Sequence, residues 1–124
     1  MSVILLSVKP EYADKIFSGI KKFEFRRHVS SEKVEKIIIY SSAPVKKVIG
    51  EVAVVDVLSM KKSPLWEVTK KSAGISREKF REYFKDASIA YAYVLGDTTK
   101  YDEPKELSDF GIEKAPQSFI YLNT

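Results

Sequence analysis

The sequence predicts an α+β fold: a small mixed sheet or partly open β-barrel of five to six strands, with short helices inserted between them. Three observations carry this. Short β-branched and apolar runs recur along the chain, each bounded by turn residues. Pro and Ser residues in helix-starting positions open three helical stretches between those runs. Gly50 falls inside the longest run, where a bulge or bend would curl a sheet.

Taken in order, Ser2 to Val8 (SVILLSV) is apolar enough to be a central strand. Pro10 then opens a helix at its favoured early position. The helix runs to Ser18 and is closed by Gly19, with Tyr12, Ile16, Ala13 and Phe17 as its inward stripe. From Gly19 the chain reads GIKKFEFRR, and alternation from Lys22 sets Lys22, Glu24 and Arg26 on one face and Phe23, Phe25 and Arg27 on the other. The phenylalanines are explained by a half-buried strand. An acid and a base two apart, with Lys21 at the entry, need not follow from it, and solvated surface charge is the plain alternative.

His28 to Lys33 is a polar connection. Lys36 to Tyr40 is a β-branched strand followed by the turn Ser41 to Pro44, and Lys46 to Leu58 is a long strand with Glu51 and Asp56 as acids in an apolar run. Ser63-Pro64 is expected to cap and start a helix from Leu65 to about Lys71, stopped by Gly74. Ser76 is expected to cap another from Arg77 to Phe84, with Phe80, Tyr83 and Phe84 as a core stripe. Ile89 to Leu95 is a strand with Tyr91, Tyr93 and Leu95 on one face. Gly96-Asp97 is read as a break, Thr98 to Tyr101 as extended, Glu103-Pro104 as the start of a loop and Leu107 to Gly111 as a turn or helical step. Ser118 to Leu122 closes the chain as a strand.

At 124 residues the chain is expected to be one domain, residues 1–124. A hydrophobic share of 44% and a charged share of 31% exclude a disordered chain. No apolar run is long enough to span a bilayer, and the Val3 to Leu6 run is too short and lacks the charged lead of a signal segment, so no membrane partner and a cytoplasmic location are expected. Without cysteine, and with His28 as the single histidine, neither a thiolate site nor a usual zinc or iron site is expected; no metal and no cofactor are anticipated. His28 itself reads as a surface residue at a strand end. The net charge of +4 permits a polyanionic partner without demanding one. Scarcity of Asn, Gln and Cys fits a thermophilic source, although an AT-rich genome gives the same lysine bias.

The stretches Leu6-Ser7-Val8-Lys9-Pro10 and Gly19-x-Lys21-x-x-Glu24-x-Arg26, with Gly50-Glu51 and the closing Pro116-Gln117-Ser118-Phe119, resemble the ASCH domain family over nearly the whole chain. The likeness is to prokaryotic and archaeal members described as predicted transcriptional regulators. It implies a PUA-like open barrel of five to six strands with flanking short helices, and a cleft beside the signature strand that takes RNA or a nucleotide or nucleoside. Carried over, Lys21, Glu24 and Arg26 line that cleft, with Glu51 from the neighbouring strand. Tyr40, Ser41 and Tyr93 are candidate contacts or stacking surfaces, and Gln117 and Ser118 join them from the closing motif. Lysine and arginine donors suit phosphate, and unpaired bases stack on tyrosine.

Two function classes stay open. The first is an RNA-binding, regulatory module. The second is a hydrolase with Lys21, Glu24 and Glu51 as its catalytic candidates. Some similar proteins remove an acyl group from modified cytidine, but the position of their threonine nucleophile holds Glu24 here, which counts against that reaction. A ribonuclease in which Lys21 and Glu24 share acid and base roles and Arg26 stabilises developing charge fits the residues better.

Overall fold

The computed structural model describes residues 2–122 and shows an open, six-stranded mixed sheet with three short α-helices. The strands are β1 (Ser2–Val8), β2 (Phe23–Arg26), β3 (Val34–Ser41), β4 (Lys47–Met60), β5 (Ala90–Lys105) and β6 (Phe119–Leu122), in the order β2-β5-β4-β3-β1-β6. β1 and β3 run parallel, whereas every other neighbouring pair is antiparallel. The helices are α1 (Pro10–Phe17), α2 (Lys62–Thr69) and α3 (Arg77–Tyr83). The edge strands β2 and β6 are not paired to each other, so the barrel is open as expected.

The β1 sequence is buried at nearly every position because both sheet faces are covered. Ile4, Leu6 and Val8 pack under α1 with Ile37, Ile39 and Tyr93, while Val3 and Leu5 pack on the other face with Ile38, Tyr40 and Val48. A separate cluster of Phe25, Leu65, Phe80, Phe84 and Ala92 holds α2 and α3 against the β2–β5 end. Its rings meet edge to face: Phe80 lies 5.1 Å from Phe25 and 4.9 Å from Phe84 between centroids.

Gly50 does mark an irregularity, with register shifts against both β3 and β5. It also lets Phe17 of α1 rest on the sheet, since a Cβ there would stand 2.6 Å from the Phe17 ring and 2.5 Å from the Thr99 carbonyl. Four sequence expectations are corrected. Gly96-Asp97 does not break the strand: Leu95 pairs with Val54 and Thr98 with Val52, so the two residues sit in a bulged stretch and the ladder resumes beyond them. Glu103-Pro104 likewise stays extended within β5: residues 101–104 bulge out between the Gly50–Lys100 and Val48–Lys105 pairs, where the missing N–H of Pro104 costs little. Ser63 is not a cap. Lys61 precedes the first turn of α2 without a side-chain cap, and Pro64 sits inside that turn, where backbone N–H groups have no helical partner. Tyr83, expected in the core with Phe80 and Phe84, is only half-buried. Ser76 does cap α3, its side chain accepting from the Lys79 N–H.

Candidate nucleic-acid interface

The GIKKFEFRR stretch is held at three points before it becomes β2. Gly19 adopts a positive φ of 85° at the end of α1, and the Lys21 N–H then donates back to the Lys15 carbonyl at 3.0 Å. The Lys22 N–H donates to the Ser72 carbonyl at 2.9 Å, and the Lys22 carbonyl accepts from Leu95 of β5 at 3.0 Å. Lys21 is thus clamped between α1, β5 and the segment after α2.

Its side chain points inward and is only 3% exposed. Nζ donates to the Ala73 carbonyl at 2.7 Å and lies 5.3 Å from the Tyr12 ring centroid and 4.8 Å from that of Phe25. The neighbouring Gly74, at φ 66°, has no room for a side chain: a Cβ would stand 2.5 Å from Lys21 Cβ. Burial pulls the Lys21 pKa down from 10.5 to about 8; the Glu24 carboxylate opposes this, and Lys15 and Arg26 add to it.

Glu24 and Arg26 follow on β2. Arg26 donates from Nε (3.0 Å) and Nη2 (2.8 Å) to Glu24 Oε2, and Nη2 also reaches the Ser7 carbonyl of β1 at 2.8 Å. Among the described residues the other Glu24 oxygen, Oε1, takes no hydrogen bond. Glu24 is 6% exposed, so the alternating charges of β2 are not surface decoration. The three signature residues share one cavity of about 450 Å³, with β2 as its floor. Lys9 and Tyr12 of the α1 entry form one wall, and Lys79, Glu82 and Tyr83 of α3 the other. Lys9, Lys21, Arg26 and Lys79 outnumber Glu24 and Glu82 there, and the Arg27 guanidinium stacks 4.9 Å from the centroid of Tyr83.

The remaining candidates lie elsewhere. β2 pairs with β5, not β4, so Glu51 is not on the neighbouring strand. It accepts from Tyr101 Oη at 3.1 Å and faces Lys36 at 3.5 Å, outside the cavity lining. Burial first, then Glu51, pushes the Tyr101 pKa up to about 12. Tyr40 is packed with Val3, Leu5 and Val48, and Ser41 is buried at the end of β3. Tyr93 stands opposite Glu24 in register but is only 1% exposed, and its hydroxyl accepts from the Ser30 N–H; burial raises its pKa. Neither Tyr40 nor Tyr93 offers a ring face to a base. Gln117 and Ser118 are exposed; the adjoining Pro116 carbonyl accepts from Ser7 Oγ at 2.9 Å, which ties the closing segment to the cavity wall. His28 is exposed. Helical spacing alone assigns Tyr12 and Tyr83 to the core, whereas the structure puts both in the cavity lining. Their hydroxyls, among otherwise hydrocarbon stripes, are the signal in the sequence that sets them apart.

Among the described residues no cluster of His, Asp and Glu could hold a metal, and no helix is long and apolar enough to cross a membrane.

An open mixed barrel carrying a buried lysine and an ion-paired Glu-Arg couple in one edge cleft has the PUA-like architecture. The chain belongs to the ASCH domain family, whose pattern matches residues 6–111. It is 32% identical over 125 residues to a Zymomonas mobilis protein named ASCH domain-containing ribonuclease, covering 95% of this chain and 82% of that one. The crystal structure of ASCH from Zymomonas mobilis superimposes with a TM-score of 0.90 at 30% identity, over 98% of this chain and 87% of that chain. Two Ureaplasma parvum proteins, named ATP synthase subunit alpha and large ribosomal subunit protein uL22, are 34% and 31% identical to it; the chain spans only 15% and 39% of their lengths.

Proposed function

We propose that this chain is an RNA-binding domain whose β2 cleft takes one unstacked nucleotide of a single strand. The supporting observation is the cavity of about 450 Å³, whose lining brings Lys21, Arg26 and Lys79 together with Tyr12 and Tyr83. On this reading a base stacks against a tyrosine of the lining, its phosphate meets the cations, and Glu24 Oε1 accepts from an amino edge. Regulation of transcription or translation is one use of such binding.

A second reading, cleavage of the bound RNA, is favoured by the name of the Zymomonas relative and by the Lys21 amine. With a pKa of about 8, that amine is able to exchange a proton near neutral pH, as a general acid or base must. Arg26 then stabilises the charge developing on phosphorus. Removal of an acyl group from a base finds less support: Glu24 is not a hydroxyl nucleophile, and the Ser7 hydroxyl is engaged with Pro116.

The test is fluorescence anisotropy with labelled single-stranded RNA, single-stranded DNA and duplex RNA, using wild type, Lys21→Met and Tyr83→Leu, with each mixture then run on a gel. Loss of RNA affinity by tenfold or more in both variants, without strand cleavage, supports the binding domain. Cleavage by wild type that is abolished in Lys21→Met supports the nuclease. Undiminished affinity in both variants would remove the cleft from consideration.

A further inference from the structure

The far side of α3 carries a second groove, of about 430 Å³, between α2 and α3. Lys62, Arg77, Arg81 and Lys85 border it around the ring of Trp66, and Glu67 is the single acid. That acid is already engaged: Lys70 bonds it at 2.7 Å and holds its pKa down. Among the described residues Lys62, Arg77 and Arg81 make no ion pair, whereas Lys85 reaches Glu82 at 3.1 Å. Arg77 and Arg81 stand four apart on α3, so two like charges share one helix face, an arrangement that disfavours the isolated helix. The groove is built rather than incidental: Lys62 Nζ donates to the Lys85 carbonyl at 3.3 Å, and Trp66 packs 5.1 Å from buried Phe80.

Lys79, Glu82 and Tyr83 of the same helix line the β2 cleft. α3 is therefore a ridge one helix wide with a cation-bearing hollow on either side. We infer that the α2–α3 groove is a second site for the same RNA strand: Lys62, Arg77 and Arg81 hold the phosphodiester backbone as it leaves the β2 cleft over α3, and Trp66 offers a stacking face to an adjoining base. This rests on the reading of the β2 cleft as the nucleotide site. The groove gives reach and salt dependence; the cleft selects the nucleotide.

Trp66 is the chain's only tryptophan, so its fluorescence reports on this groove directly. The experiment titrates uridine 5′-monophosphate and an oligouridylate about 12 nucleotides long into wild type, Lys62→Gln/Arg77→Gln/Arg81→Gln, and Lys21→Met. Matched thermal melts check that each is folded. For the triple variant the expected result is roughly tenfold weaker oligonucleotide binding. Its log–log salt slope should be shallower by about 2, as loss of three phosphate contacts to a single strand requires. Monophosphate affinity should be unchanged, and tryptophan quenching by the oligonucleotide lost. Unchanged oligonucleotide affinity, slope and quenching in the triple variant would overturn the groove while leaving the cleft standing. Lost quenching and slope in the triple variant, with Lys21→Met binding as wild type, would support the groove and reject the cleft. Sedimentation with anionic phospholipid vesicles that only the triple variant loses, its oligonucleotide binding intact, would overturn the RNA assignment in favour of a membrane surface.

Discussion

Replacing Lys21 with methionine keeps most of the stem that packs on Gly74, Tyr12 and Phe25 and deletes the charge. The fall of the Lys21 pKa from 10.5 to about 8 corresponds to about 3 kcal/mol, at about 1.36 kcal/mol per unit. The direction follows from proton binding. Between pH 8 and 10.5 the unfolded lysine holds a proton that the folded one has released, so wild-type stability rises with pH through that window. Below it, both states are protonated and the full cost of burying the ammonium is present. Lys21→Met escapes that cost but leaves the Ala73 carbonyl without its donor, a loss of about 1 kcal/mol. The variant should therefore be more stable by about 2 kcal/mol at pH 7, or on the order of 5–10 °C in Tm, while losing affinity for RNA. By about pH 10 its stability advantage should vanish. Urea unfolding of both proteins at intervals from pH 7 to 10 gives the difference curve, from which titrations common to both cancel. A constant difference across that range would refute the buried, depressed lysine. A variant less stable at pH 7 would show that the Ala73 and aromatic contacts outweigh desolvation.

Further outcomes follow from the same geometry. Arg26→Met leaves the Glu24 carboxylate buried without its guanidinium and should cost about 3 kcal/mol. Glu24→Gln added to it should recover part of that, giving a coupling of at least about 1 kcal/mol in a double-mutant cycle measured by urea unfolding. Glu24→Gln alone should take the Lys21 pKa below its present value, since Glu24 is the charge that raises it; amine reactivity against pH reads this out. Gly74→Ala meets both the positive φ and the Lys21 stem, so a loss of about 1–3 kcal/mol in thermal unfolding and weakened RNA binding are expected together. Glu51→Gln should lower the Tyr101 pKa from about 12 in an ultraviolet titration corrected with Tyr101→Phe, and leave RNA affinity within about twofold.

Most elements were legible because their signals are local. Pro10 at the start of α1, the Ser76 cap of α3, the β-branched core of β3 and the irregularity at Gly50 each depend on a few adjacent residues. The misread elements depended on partners. Gly96-Asp97 and Glu103-Pro104 look like chain breaks in isolation, and only pairing with β4 on either side of each carries β5 through them. The cleft divides in the same way. Lys21, Glu24 and Arg26 could be found together because they are five residues apart on one short stretch. Glu51, Tyr40 and Tyr93 could not be placed, because strand order sets which strands neighbour β2, and pattern along the chain does not encode it.

The sequence by itself determined most of the strands and helices, the open α+β class, and the charged signature at the head of β2. Periodicity, capping residues and glycine positions act over a turn or a strand and need no distant contact. Tertiary structure alone decided that Lys21 is buried, that its ammonium lies against the Ala73 carbonyl fifty-two residues away, and that Tyr12 and Tyr83 line one cleft while Tyr40 and Tyr93 are core. Desolvation, and with it the lowered lysine pKa, comes from what the rest of the chain packs around a group. A residue's neighbours in sequence carry no record of that.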